Sequence, residues 1–210
     1  MSENKTTSDI ENNKTEREWT SLFLIISIVL GGFVRLYPVL TANFPIHDGG
    51  LFYSMINDLI VNDFRLPEFT SYNQLNIPFV YPPLAFYISG ALAEFTNVSV
   101  IDLVKYLPAI ISTLTIPAFY FLGKTIHKIR STAVLSTMAF AFLPSSFAWC
   151  ILGGGITRSF AMLFFILAAA FTFRMFNNPS FNKTEFALSA LFHLLIVLTH
   201  PEGALHSAGM

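Results

Sequence analysis

The chain has 210 residues, of which 53% are hydrophobic and 12% charged, and its formal net charge is −1. An ordinary soluble domain carries about 25% charged residues, so this composition suits a lipid-facing surface and not a water-facing one. A near-neutral balance gives no footprint for nucleic acid, and a single cysteine, Cys150, excludes a disulfide framework or a cysteine-based metal site.

Residues 1–18 are polar and poor in apolar side chains, and they read as a disordered cytoplasmic tail. Residues 19–210 read as a transmembrane domain. Its first apolar run, Trp19–Leu40, reaches the ~20 residues that a span needs. No small-residue cleavage site follows it, so it is expected to remain as an anchor. Further apolar stretches follow at Ile101–Leu122, Ser131–Cys150, Ile156–Phe176 and Phe186–Thr199. The expected fold class is therefore all-α, a polytopic transmembrane helical bundle of about five spans. Pro108, Pro117 and Pro144 should kink their helices, and the last stretch is short enough to break at His200-Pro201-Glu202-Gly203.

Charge fixes the expected topology. Lys124, His127, Lys128 and Arg130 follow the second run, and Arg174 and Lys183 follow the fourth. The positive-inside rule wants both connections in the cytoplasm, together with Lys5, Lys14 and Arg17. That arrangement requires the apolar segment Tyr81–Phe95, opened by Pro82-Pro83, not to cross; it is expected as a re-entrant or membrane-surface helix. The N-terminus is then cytoplasmic, the expected location is the plasma membrane, and residues 41–100 form one large extracytoplasmic loop. Within it Leu51, Phe52, Met55, Ile56, Leu59 and Ile60 recur at helical spacing opposite Ser54, Asn57, Asp58 and Asn62. Such an amphipathic helix either lies on the outer leaflet or packs on other protein.

Several side chains on that outer side carry chemistry. Asp48, in Pro45-Ile46-His47-Asp48-Gly49-Gly50, stands where the amphipathic helix begins, so it suits an N-cap as well as a positioned carboxylate. His47 beside it can hold its charge or face water. Gly153-Gly154-Gly155 followed by Arg158 offers backbone N–H groups and a guanidinium fork for a phosphate, or simply a tight turn and a snorkelling arginine. His200 and Glu202 fall at the outer end of the last stretch, as helix-stop residues or as members of the same site. Arg35, near the outer end of the first run, is expected to snorkel or to pair with an acid. His193 is expected to bond to a neighbouring helix.

An N-terminal span, an outer loop with an acidic residue, a flat helix, Tyr81-Pro82-Pro83-Leu84, and Gly123-Lys124 closing the second span together resemble the start of GT-C glycosyltransferases. Protein O-mannosyltransferases, aminoarabinose transferases and oligosaccharyltransferase catalytic subunits belong to that group. The resemblance implies an N-terminal portion of a longer enzyme that moves a sugar from a polyprenyl-phosphate or polyprenyl-diphosphate donor to an acceptor outside the cytoplasm. It makes the Asp48 carboxylate catalytic, as the general base; His47, Tyr81, Arg158, His200 and Glu202 are the candidate substrate-binding residues beside it. The acidic metal ligands that oligosaccharyltransferases carry before the fourth span have no counterpart here, which puts a divalent metal in doubt. The bilayer, the lipid-linked sugar and an acceptor are the implied partners, and nucleic acid is not. A non-catalytic membrane subunit and a transporter or lipid flippase are the rival readings.

Overall fold

A computed structural model describes residues 7–46, 49–152 and 155–210; the side-chain description starts at Lys14. The chain runs through α1 (Thr7–Thr41), α2 (Gly49–Val61), two short strands β1 (Phe69–Thr70) and β2 (Ile77–Pro78), α3 (Leu84–Thr96) and α4 (Val100–Ile126). It continues through α5 (Arg130–Phe142), α6 (Ala148–Ile151), α7 (Ile156–Asn177), α8 (Lys183–Val197) and α9 (Pro201–Ser207). Among the described residues the regular structure is helical apart from that antiparallel strand pair. The Asp58 carboxylate on α2 fastens the pair by accepting from the Thr70 hydroxyl at 2.7 Å and the Ser71 N–H at 2.8 Å.

Three helices are long and apolar enough to cross a membrane: Lys14–Thr41, Val100–Ile126 and Ile156–Asn177. This is fewer than the sequence led us to expect, and the two shortfalls have local causes. The Ser131–Cys150 stretch does not form one helix. α5 stops after 13 residues, about 20 Å at 1.5 Å per residue. Pro144 supplies no N–H and disfavours a helical conformation at the residue before it; Leu143 is extended accordingly, with φ −73° and ψ 116°. The last stretch forms α8, 15 residues long, and breaks at His200, which is extended with φ −153°. α4, by contrast, continues through both Pro108 and Pro117. At the N-terminus, α1 begins at Thr7, inside the segment expected to be disordered. Adding turns to an existing helix avoids the nucleation cost that an isolated polar segment would meet.

α1 packs in the manner of a membrane helix. Its buried positions are Thr20, Ser27, Gly31, Gly32, Arg35 and Val39, a stripe of mostly small or polar residues, while Phe23, Ile25, Val29, Leu30, Phe33 and Leu40 face outward. Small residues let backbones approach closely where lipid already satisfies the large apolar ones. A methyl group on Gly31 would sit 2.8 Å from Ile116 of α4 and 3.0 Å from Ala141 of α5.

The amphipathic helix is α2, and its apolar face meets protein. Phe52, Met55, Ile56 and Leu59 are buried in one core with Ala85 and Phe86 of α3, Val104 and Ile111 of α4, and Ile156 and Phe160 of α7. Full burial of each large side chain contributes about 1.5–3 kcal/mol. The apolar stripe of α2 therefore packs on protein, and these side chains fill the space between α2 and α3. α3 itself has 13 residues, about 20 Å, too short to cross ~30 Å of hydrocarbon.

The helices sort their charges by end. Arg130 at the start of α5 reaches Ser21 of α1 at 3.5 Å. Arg174 near the end of α7 lies 5.9 Å from the Phe121 ring of α4. It also pairs with Glu185 of α8 at 2.9 Å, and the antiparallel α7–α8 hairpin is joined again by Thr172 and Ser189 at 2.8 Å. The hairpin returns the chain to the opposite end, where Arg158 opens α7 and His200 opens α9.

Candidate functional site

That opposite end holds a cleft of about 500 Å³ between α6, the first turns of α7 and the α8–α9 corner, lined among others by Trp149, Cys150, Arg158, His200, Glu202 and His206. Three of the residues selected from sequence, Arg158, His200 and Glu202, therefore meet on one surface. Tyr81 stands behind them, its ring 6.1 Å from that of His200 and edge-on to it. The motif that carries Tyr81 is tied to the same corner, because the Leu84 N–H donates to the Leu198 carbonyl at 3.0 Å. Tyr81 also contacts Phe52 in the first turn of α2 at 5.4 Å. His47, Asp48 and the first two glycines of the triplet lie outside the described residues.

Each side chain is placed by its element. Arg158 sits in the first turn of α7, and its guanidinium lies 5.3 Å from the Trp149 ring centroid. Among the described residues it makes no hydrogen bond or ion pair, so its planar donor fork is free for a carboxylate or phosphate. His200 is the N-cap of α9: its Nδ1 accepts from the Gly203 N–H at 3.3 Å. A ring nitrogen that accepts carries no proton, so the proton of neutral His200 sits on Nε2. Burial, and then the nearby Arg158 charge, push the His200 pKa below its ordinary 6.5. His200 is thus a neutral N–H donor at physiological pH. Glu202 and His206 lie four residues apart on α9, both exposed.

The sequence reading missed Trp149, Cys150 and His206. The i, i+4 spacing of Glu202 and His206 was a usable signal, whereas Trp149 carried none until α6 placed it beneath Arg158. Two local expectations also change. Arg35 does not snorkel, and among the described residues it pairs with no acid: it is fully buried and bonds to carbonyls. His193 bonds to the Ser189 carbonyl of its own helix at 2.8 Å.

The cap makes α9 pH-sensitive. A group whose folded pKa lies below its unfolded value stabilises fully above the unfolded value and loses that contribution as pH falls through the folded one. Protection of the α9 amides against hydrogen exchange, corrected for intrinsic rates, is therefore expected to be full above about pH 6.5 and to decline below it. His200→Asn, which keeps an N-cap acceptor without a titrating ring, is expected to abolish the decline. An unchanged decline in that variant would assign the effect elsewhere.

The sequence matches no protein-family model and no curated protein. The cleft offers one guanidinium on an indole, unpaired among the described residues, one neutral imidazole donor, one exposed carboxylate and an apolar wall from Ala161, Met162 and Phe165.

Proposed function

We propose that this chain is a membrane glycosyltransferase of the GT-C type, using a polyprenyl-phosphate or polyprenyl-diphosphate sugar on the extracytoplasmic side. The observation that carries the reading is the meeting of Arg158, His200 and Glu202 in one cleft, with Tyr81 against His200. These residues were selected from separate parts of the sequence for one chemistry. In the proposed reaction the Asp48 carboxylate takes the acceptor hydroxyl proton. The acceptor oxygen then bonds to the anomeric carbon, and the bond from that carbon to the phosphate oxygen breaks. The electron pair leaves with the phosphate, whose charge Arg158 stabilises.

The sorted charges support the orientation. Arg130 and Arg174 sit at the end that the positive-inside rule assigns to the cytoplasm, and the cleft sits at the other. The fit of α3 between α2 and the α8–α9 corner supports its reading as a surface or re-entrant element, with α5–α6 and α8 completing the five-span arrangement as broken or short members. A flippase reading would want charges lining a path through the spans. Among the described residues the buried Arg35 faces carbonyls, and Glu185 is held by Arg174.

Arg158→Ala is the direct test. A charge-assisted contact is worth about 1.5–3 kcal/mol, so donor dissociation is expected to rise by about 10–100-fold with acceptor binding nearly unchanged. Equal weakening of both would reject the phosphate role, and a wild-type protein that binds no polyprenyl-phosphate sugar would reject the whole reading in favour of a non-catalytic subunit.

A further inference from the structure

The cleft's wall depends on a residue that never touches it. Arg35 of α1 has 0% exposure, in a helix that otherwise buries small groups. Such a charge is costly inside a membrane unless its donors are engaged. Among the described residues it has no acid partner and its Nε–H no acceptor, but the two terminal nitrogens donate to the Gly31 carbonyl at 3.0 Å, to the Ala141 carbonyl, and to Ser146 Oγ at 3.2 Å. It also lies 4.6 Å from the Phe147 ring centroid and 5.9 Å from that of Phe140. Ser146 in turn has one O–H to donate, within reach of the carbonyls of Phe140 at 2.6 Å and Leu143 at 2.8 Å.

These partners share one property. The last carbonyls of any helix have no partner within it, and α5 ends early because of Pro144. Arg35 satisfies the Ala141 carbonyl and the Ser146 O–H serves that of Phe140, while the Leu143 carbonyl accepts from the Ser146 backbone N–H at 2.9 Å; the negative end of the α5 dipole takes the place of a counter-ion. The turn so held leads directly into α6, where Phe147 is the N-cap and Trp149 follows. Trp149 is 69% exposed, so its own burial does little to fix it, and Arg158 rests on its ring.

We propose that Arg35 is a positioning residue of the cleft: by clamping the broken end of α5 it fixes α6, and through Trp149 it sets where the Arg158 guanidinium stands. This rests on the cleft being the donor site, but the clamp itself can be read without any donor. The fork is essential to it, since a lysine keeps the charge but not the planar set of donors that spans Ala141 and Ser146 while covering Phe147.

The test uses the full chain with Trp19→Phe, which leaves Trp149 as the sole tryptophan. In Arg35→Lys, with folding checked by helicity and elution, the fast component of Trp149 anisotropy decay is expected to grow about twofold. Donor dissociation is expected to rise about 10-fold. In an Arg158→Ala background the same substitution is expected to add nothing further to donor dissociation. Ser146→Ala, which removes one bond of the clamp and keeps Arg35, is expected to move Trp149 in the same direction by less, and it replaces Arg35→Lys should that variant not fold. Unchanged Trp149 anisotropy in a folded variant overturns the proposal, and so does a full additional loss in the Arg158→Ala background. A Trp149 response in a protein that binds no donor leaves the clamp standing and rejects the donor-site reading alone.

Discussion

Gly155→Ala is expected to prevent the native fold at the cleft. A methyl group at Gly155 would lie 1.8 Å from the Cys150 carbonyl oxygen and 2.4 Å from its carbon. Both are backbone atoms of α6, so no side-chain rotation can relieve the overlap; α6 and α7 would have to separate. Overpacking that a side-chain shift can absorb costs about 1–3 kcal/mol. An overlap with backbone this deep belongs with the rare losses above about 4 kcal/mol. The measurement is yield and thermal stability of the purified protein, together with Trp149 emission. A variant of wild-type stability would mean that α6 and α7 do not meet this closely. Gly203→Ala provides a graded comparison, with its nearest contacts at 3.1 Å on Ile196 and 3.2 Å on Ala161, both side chains.

Asp48→Asn is expected to abolish transfer while leaving folding intact. The substitution keeps the size and the N-cap competence of the residue and removes only its capacity to take a proton. A general base contributes about 10²–10⁴-fold to rate, so turnover should fall by that range with donor affinity close to wild type. Retained turnover would reduce Asp48 to a cap for α2. Loss of affinity and turnover together would give it a binding role. α2 begins at Gly49, the residue after Asp48, and its Phe52 touches Tyr81, whose ring in turn lies edge-on to that of His200.

What the sequence disclosed and withheld follows from what periodicity can encode. Long apolar runs identify α1, α4 and α7 because span length is set by the bilayer, which acts on each helix separately. The α5 break was harder to read. Proline in α4 is absorbed, whereas α5 ends before Pro144, and the broken end is held by Arg35, whose partners Ala141 and Ser146 lie 106 and 111 residues further along the chain. The apolar stripe of α2 was legible, but a stripe does not say whether lipid or protein covers it. Arg158, His200 and Glu202 were legible as residue types suited to one chemistry. Their meeting depended on the α7–α8 hairpin, whose ends are set by the Arg174–Glu185 pair. Trp149 and His206 were passed over because an indole or an imidazole at a helix end is common until a neighbour gives it a task.

The partners of Arg35 also set an order of biogenesis. As α1 leaves the ribosome, the carbonyl of Ala141 has yet to be made, 106 residues later in the chain. At about 5–20 residues per second, the arginine waits on the order of 5–20 s beside the insertion machinery without its long-range acceptor. An arginine near the end of a span costs less to insert than the about 2.5–3.5 kcal/mol of one at its centre, and the surrounding leucines, isoleucines and phenylalanines can offset that cost for insertion but not for assembly. Nascent chains stalled before α5 emerges should therefore present an uncovered intramembrane charge to quality control, and chains released after it should not.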